Sequence, residues 1–565
     1  MRRGDAAYAP VALALSEHKN TVVSTASSSS SQAPPAVSTW AAFQHPIFTV
    51  VWTATVVSNI GSWMYSAAAG WLMTSLTTDP LIVSLVQVAN NLPVLLFAFP
   101  AGALTDVVDK RKFLIIAETA TTLLSALLAA LVWRDLVGPQ VLLLFVFILG
   151  AAGALTAPPW QAVVPDLVPK EHLAPALALN SAGINVSRAV GSGLSGVLIA
   201  AWGISAPFWA NAVSNAGVIG ALAWWRPRAK PPRHLPGERL YAAMRTGYRH
   251  ARHNARLRAT LARAAAFFIF ASAYWALLPL LARQQIAGGP ELYGLLLGMI
   301  GVGAIVGAIQ LRRLRARLGT DRAVLAGYLG TVLAMALYAT AHTPALALAA
   351  SFVAGTSWVI VVASLNLSAQ LALPDWVRGR GLAIYVTWFY GAMTLGSALW
   401  GQIAGWLGLP ATFWIASGGL LLAVPLTWRW KLQHSKAIDL TPSMHWPVPT
   451  TLLDPKSADS PVMVTVEYDV AEENRRAFLS AMEQLSHERK RDGAFAWAIY
   501  QDVARPDRFV ETFHLESWVE HLRQHERVTK ADRELQESIR RLTRAAPLVT
   551  HLLAASPDTP IHNHR

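Results

Sequence analysis

Long apolar runs follow one another from Ile47 to Trp430, and this succession restricts the fold of the chain more than any other feature. A stretch of about twenty apolar residues can cross a bilayer as a helix. The predicted spans are residues 46–73, 80–104, 112–133, 139–160, 173–202, 205–225, 262–285, 291–312, 322–341, 344–371, 379–407 and 409–430. Because helices satisfy their backbone polar groups internally, this region is predicted to be an all-α polytopic membrane protein with twelve transmembrane helices.

The composition agrees with a membrane protein that has soluble parts, since 53% of the residues are hydrophobic, 14% are charged and the mean hydropathy is +0.36. A net charge of +14 is also typical of proteins that bind nucleic acid. Basic cytoplasmic loops give a multi-spanning protein the same excess, so no nucleic-acid partner is predicted. The absence of cysteine excludes disulfides and thiolate metal sites.

The connections between the spans alternate in charge. Those at 106–112, 170–172, 226–263, 312–322 and 378–380 are basic, whereas intervening ones such as 74–80 and 203–204 carry almost no charge. Short loops rich in Lys and Arg remain in the cytoplasm. With an even number of spans, this alternation predicts that both termini are cytoplasmic.

Two of the basic connections are similar to each other. The first is GALTDVVDKRKF, whose characteristic residues are Gly102, Leu104, Asp106, Lys110, Arg111 and Lys112. The second is GAIQLRRLRARLGTD, residues 307–321. Both resemble the loop motif of the major facilitator superfamily, although Asp109 stands where that motif usually has a second glycine. The resemblance implies a 6+6 fold with halves at 45–225 and 262–430, joined by a basic cytoplasmic loop with a surface helix at 226–261.

Three further strings narrow the resemblance. They begin at Ser58 (SNIGSWMYSAAAGWLMTSLTTDP), Pro165 (PDLVPKEHLAPALALNSAGINVSRAVGSGLSG) and Leu373 (LPDWVRGRGLAIY). They are similar to the transmembrane secretion effector branch of the superfamily, which includes the enterobactin exporter. This resemblance implies a multi-pass protein of the bacterial cytoplasmic (inner) membrane. It would export a small siderophore-like or amphipathic molecule by alternating access, driven by the proton motive force and without a cofactor.

Charged groups inside the predicted spans are the candidates for coupling, because hydrocarbon penalises them unless they face protein or water. Arg188 lies halfway along the fifth span, and Glu118 lies two turns into the third. The alternatives are a fixed interhelical ion pair for Arg188 and a polar contact at the cytoplasmic end for Glu118. Further candidates for lining a central cavity are Asn59, Gln87, Asn90, Asn91, Tyr274, Trp275, Asn366, Gln370, Trp388 and Tyr390.

The first loop is expected to act in gating. Asp106 can face the positive end of a neighbouring helix while Lys110 and Arg111 find acidic partners. Such contacts would hold the cytoplasmic ends of the two halves together in one state.

The ends of the chain read as soluble segments. Residues 1–44, with five consecutive serines, are predicted to be a disordered tail, and 431–460 a linker. Residues 461–556 show the order βαββαβ, which predicts a ferredoxin-like α+β domain, and 557–565 form a tail. This domain resembles the dimeric α/β barrels of small monooxygenases, which implies a homodimer through it.

His521 and His525 lie four residues apart on a predicted helix, so their imidazoles share one face. Metal or haem binding is one interpretation, but no third ligand is identifiable by spacing, and a polar dimer contact is favoured. The protein is therefore not predicted to be an enzyme or to hold a metal. A membrane-tethered monooxygenase-like enzyme is the alternative function.

Overall fold

A computed structural model describes residues 40–107, 109–226, 240–374, 376–432 and 461–554 of the chain, with Ser38 and Ser443. Its first part is helical. The helices are α1 Pro46–Leu76, α2 Pro80–Val107, α3 Lys110–Trp133, α4 Pro139–Leu167, α5 Leu173–Trp202, α6 Ala206–Trp224, α7 Leu240–His253, α8 Ala255–Leu280, α9 Pro290–Ala339, α10 Pro344–Leu371 and α11 Arg378–Thr427. Among the described residues, ten segments are long and apolar enough to cross a membrane.

Two of these helices turn back at a glycine. The backbone of α9 leaves helical geometry at Gly319, and that of α11 does so at Gly408, each with φ 79° and ψ 169°. A positive φ of this size strains any residue with a Cβ, which explains the glycines. The predicted pairs 291–312 with 322–341 and 379–407 with 409–430 therefore meet at tight turns.

Helix boundaries follow local capping. Asn254 accepts hydrogen bonds from the backbone N–H groups of Arg256 and Leu257, so α8 already begins at Ala255 rather than at residue 262. The predicted disordered tail also ends earlier than expected, because Ala41–Gln44 form a short 3₁₀ helix. Phe43 of that turn packs edge-on against Trp52, with 5.0 Å between ring centroids. Residues 1–37 lie outside the described part of the chain.

The C-terminal domain contains the predicted ferredoxin-like sheet. Its elements are β1 Val462–Asp469, α12 Arg475–Arg491, β2 Phe495–Gln501, β3 Arg508–Leu515, α13 Trp518–Arg527, α14 Lys530–Arg541 and β4 Leu548–Leu553. The strands lie in the order β2-β3-β1-β4, and every pair is antiparallel. Phe478, Met482 and Leu485 of α12 are buried with alternate residues of β1, as the sequence pattern predicts.

Two helices, α13 and α14, lie between β3 and β4, where the order βαββαβ predicts one. Backbone torsions at Val528 are extended, and Thr529 begins α14 with a reciprocal capping box to Asp532. Ser517 does cap α13. The side chain of Glu520 forms an ion pair with Arg527.

The C-terminal domain docks against the second helical half. Glu516 forms ion pairs with Arg245 and Arg249 of α7, at 2.9 and 3.3 Å. The Arg527 guanidinium stacks on Trp376, which lies between α10 and α11, 4.5 Å from the ring centroid. One face of the basic surface helix thus packs on protein, while Tyr248 on that helix is exposed.

Candidate functional site

The two halves meet at one end of the bundle. We call the end with the α2–α3, α4–α5 and α10–α11 connections the basic end, and the other the opposite end. At the opposite end Arg283 donates hydrogen bonds to Ser75 Oγ at 2.6 Å and Thr74 Oγ1 at 3.2 Å. Its guanidinium also lies 5.4 Å from the ring centroid of Trp71, which stacks on Tyr293. These contacts hold the opposite end closed.

Glycines allow the helices of the two halves to approach closely at this end. A Cβ on Gly294 of α9 would lie 2.9 Å from the Cα of Gly196 on α5. A Cβ on Gly401 of α11 would lie 3.1 Å from the carbonyl oxygen of Pro80 on α2. Close backbone contact of this kind is typical of small residues at helix interfaces in membranes.

Arg188 lies between the halves, in the middle of α5. Its guanidinium donates a hydrogen bond to Asn185 Oδ1 and stacks on Trp63, 5.6 Å from the ring centroid. It also interacts electrostatically with the hydroxyls of Tyr274 and Tyr390, on α8 and α11 of the second half. Within the described residues, no carboxylate lies within ion-pair distance of this guanidinium.

Tyr274 and Tyr390 belong to a cluster of aromatic rings in the second half. Trp358 of α10 contacts Trp275 and Phe389, with ring centroids 5.4 and 6.2 Å apart, and Phe389 contacts Tyr390 at 4.7 Å. The Tyr274 hydroxyl and the Trp275 indole N–H are buried and make no hydrogen bond within the described part of the chain. A buried donor without a partner carries a desolvation cost, which water or a bound ligand can relieve.

The other predicted cavity residues are distributed along the bundle. On α2, Gln87 Nε2 donates a hydrogen bond to Asn91 Oδ1 at 3.3 Å, and Asn91 Nδ2 makes no hydrogen bond among the described residues. Asn366 and Gln370 of α10 also bond to each other at 3.3 Å, and both are exposed near the basic end. Half-buried Asn59 and Asn90 lie on α1 and α2, and exposed Trp388 lies on α11.

Glu118 lies apart from this group. Its Oε1 accepts a hydrogen bond from the indole N–H of Trp160 at 3.1 Å, which joins α3 to α4 within the first half. A role of Glu118 or Arg188 in coupling stays a prediction.

The first basic loop fastens α3 to its neighbours. Asp109 caps α3 by accepting from the backbone N–H of Lys112 at 3.1 Å, which accounts for an acid at this motif position. Arg111 was expected to find an acidic partner, but it donates to the carbonyl oxygens of Leu222 and Ala223 at the end of α6, at 2.8 and 2.7 Å. Those carbonyls have no partner within their helix, so a cation is well placed there. The side chains of Leu104 and Asp106 lie outside the described residues.

A buried ion pair at the basic end was not predicted. Arg263 of α8 pairs with Asp321 of α9, and both are nearly inaccessible to solvent. Asp321 also accepts from the backbone N–H of Leu432 at 3.2 Å, while Tyr328 donates to the Arg263 carbonyl at 2.6 Å. The pair therefore joins α8 and α9 to the segment that follows α11 at the basic end of the second half.

Two histidines outside the candidate membrane spans are buried, His250 on α7 and His521 on α13. Burial, with the nearby Arg491 and Arg527, lowers the pKa of His250 on α7 to about 3. Burial, with the neighbouring His525 and His551, lowers the pKa of His521 to about 3. His551 on β4 supplies the third imidazole that sequence spacing did not reveal, because the strand lies far along the chain from α13.

Solved transporter structures share the fold of the helical region. The nucleoside transporter NupG superposes with a TM-score of 0.54, covering 68% of this chain and 99% of that chain at 12% identity. A POT family transporter superposes with a TM-score of 0.55, covering 68% and 95% at 10% identity. The fold, with its polar and aromatic groups between two helical halves, is that of a major facilitator superfamily transporter. More specifically, the chain belongs to the transmembrane secretion effector family, whose profile matches residues 37–558.

Curated relatives of this chain are transporters as well. The staphyloferrin A transporter of Staphylococcus aureus is 23% identical over 46% of this chain, and the matched part spans 65% of that protein. The multidrug efflux pump Tap of Mycolicibacterium fortuitum is 24% identical over 67% of this chain and 93% of its own length. Macrolide efflux protein A of Streptococcus pyogenes is 24% identical over 31% of this chain and 42% of its own length. These relatives support the prediction that the protein is a transporter rather than an enzyme.

Proposed function

We propose that this protein is a proton-driven antiporter that exports a small, acidic, siderophore-like or amphipathic molecule. It would have twelve spans in the bacterial cytoplasmic membrane, with both termini and the basic end in the cytoplasm. Membership of the secretion effector family and the names of the relatives, a siderophore transporter and efflux proteins, support this assignment. The relatives named above do not favour the tethered-enzyme alternative.

The observation that carries the proposal is the environment of Arg188. A guanidinium cannot be neutralised by deprotonation, so a charge at this depth needs a continuous partner or water. Its contacts are the amide oxygen of Asn185 and the face of Trp63, both neutral, and the phenols of Tyr274 and Tyr390 lie nearby. An anionic group on the substrate supplies the missing charge, and the aromatic cluster around Trp358 supplies an apolar surface for the rest of the molecule.

Alternating access requires two states of the bundle. The closed opposite end, with exposed Asn366, Gln370 and Trp388 toward the basic end, supports an inward-facing state that loads substrate from the cytoplasm. We also propose that the protein binds protons during the cycle. The first basic loop is proposed to act in gating through Gly102, Asp106, Lys110, Arg111 and Lys112. The C-terminal domain, which contains a four-stranded antiparallel sheet, is proposed to assist assembly as a homodimer.

The test is uptake into inside-out vesicles across siderophores and amphipathic drugs, with and without a protonophore. Arg188→Lys keeps the charge but loses the paired geometry of the guanidinium, so transport of an acidic substrate per inserted molecule should fall about tenfold or more, and Arg188→Ala should lower it further. Arg134→Lys, at an exposed position of the opposite end, is the matched control and should transport normally. Native transport by both Arg188 variants, or no effect of the protonophore, would contradict the proposal.

A further inference from the structure

Three imidazoles converge on one point of the C-terminal domain. His521 and His525 lie one turn apart on α13, and His551 lies on β4. His551 is paired in register with Val464, a buried residue of β1, so it lies on the face of the sheet that the helices cover. One nitrogen from each of the three rings falls within 4.8 Å of the others.

The surroundings of the cluster suit an ion more than a simple polar contact. The Nε2 atoms of His521 and His525 are 3.2 Å apart. A hydrogen bond between them requires that one Nε2 carries a proton and the other does not. His521 is buried and its Nδ1 makes no hydrogen bond within the described part of the chain. Trp518 packs against His521 and His551, with ring centroids 5.3 and 5.9 Å apart, and forms an apolar wall.

The geometry is close to that of a three-histidine metal site. A metal–nitrogen distance of about 2.0–2.1 Å in a tetrahedral site places the ligand nitrogens about 3.3 Å apart. The pair on α13 already meets this spacing, and a small rotation of the half-exposed His551 brings in the third ring. His525 and His551 are both accessible to solvent, which provides an entry path and room for a water as fourth ligand.

A neighbouring side chain fits the role of an orienting group. Gln524 is buried, its Oε1 makes no hydrogen bond within the described residues, and its side chain interacts with His521. A hydrogen bond from His521 Nδ1 to this oxygen would leave Nε2 free to bind a metal, as second partners of histidine ligands do. We propose that His521, His525 and His551 bind one divalent transition-metal ion, such as Zn²⁺.

The experiment uses the full-length protein in detergent, stripped of metal with EDTA and titrated with Co²⁺ and then Zn²⁺. The wild type should take up one Co²⁺ per chain with the intense visible bands of a tetrahedral site, and Zn²⁺ should displace it. Since His525 and His551 are half-exposed, alanine at either position should leave the fold intact and weaken Zn²⁺ binding by at least about 100-fold. Gln524→Leu should weaken it by about 10- to 100-fold.

Two control variants separate this site from other histidines. The first is His514→Ala, whose residue lies opposite Met463 in the strand register and so on the other face of the sheet. The second is the double variant His562→Ala/His564→Ala, which removes the two histidines nearest the C-terminus. Both should bind Zn²⁺ like the wild type. A wild type without tetrahedral Co²⁺ bands, native affinity in His551→Ala, or loss of binding in the control of the last histidines would each overturn the proposal.

Discussion

Removal of Arg283 should open the end of the bundle that the structure shows closed. The side chain donates two hydrogen bonds to Ser75 and Thr74 and stacks on Trp71, and all three partners belong to the other half. A net hydrogen bond contributes about 0.5–1.5 kcal/mol, and an exposed cation–π contact about 0.5–1 kcal/mol. Because Arg283 is exposed, we discount the sum to about 1–2 kcal/mol, which changes the ratio of the two states by about 5- to 30-fold.

The assay is a spin-label distance measurement across the basic end. The chain has no cysteine, so Glu171→Cys and Gly379→Cys, both exposed and in different halves, are the only thiols introduced. Arg283→Ala should shift the distance distribution toward shorter, closed distances at the basic end. Arg134→Ala, at the same opposite end, contacts Trp133 of its own half and is the matched control. An unchanged distribution in Arg283→Ala would refute the reasoning.

Two further predictions concern buried charge and pH. Asp321→Asn leaves the Arg263 guanidinium buried without its counter-charge, so the free energy of unfolding should fall by about 3–5 kcal/mol. Thermal or denaturant unfolding in detergent measures this loss, and a loss below about 1 kcal/mol would contradict the role of the ion pair. The pKa of His250 is about 3 when folded and about 6.5 when unfolded, so stability is intact above pH 6.5 and falls with pH, by about 2 kcal/mol at pH 5. His250→Gln should flatten this dependence, and an equal slope in both proteins would exclude His250 as its source.

The helices were predictable because hydropathy is a local property. The bounds of α1, α5 and α10 agree with the predicted spans within a few residues, since a lipid-facing helix must be apolar along most of its length. The C-terminal strands were predictable for a similar reason, as alternation of buried and exposed residues is written directly in β1. The break between α13 and α14 was missed because both sides of Val528 have helical composition.

The contacts of the site depend on tertiary placement and left no local signal. Arg263 and Asp321 are 58 positions apart in the chain, and Arg283 and Ser75 are 208 apart, so neither pair could be read from spacing. Trp358 resembles any packing residue in an apolar span, although it lies at the centre of the aromatic cluster. The sequence identified Arg188 because an isolated charge in hydrocarbon has a high free-energy cost. That cost indicates a functional or structural role for the residue but does not predict which residues it contacts.

The turn at Gly408 also bears on how this chain is made. One candidate span ends at Leu407 and the next begins at Leu409, so Gly408 alone connects them. The insertion machinery therefore has no loop to pass across the membrane. We therefore expect the two segments to enter the bilayer together, as a hairpin, when the protein is made.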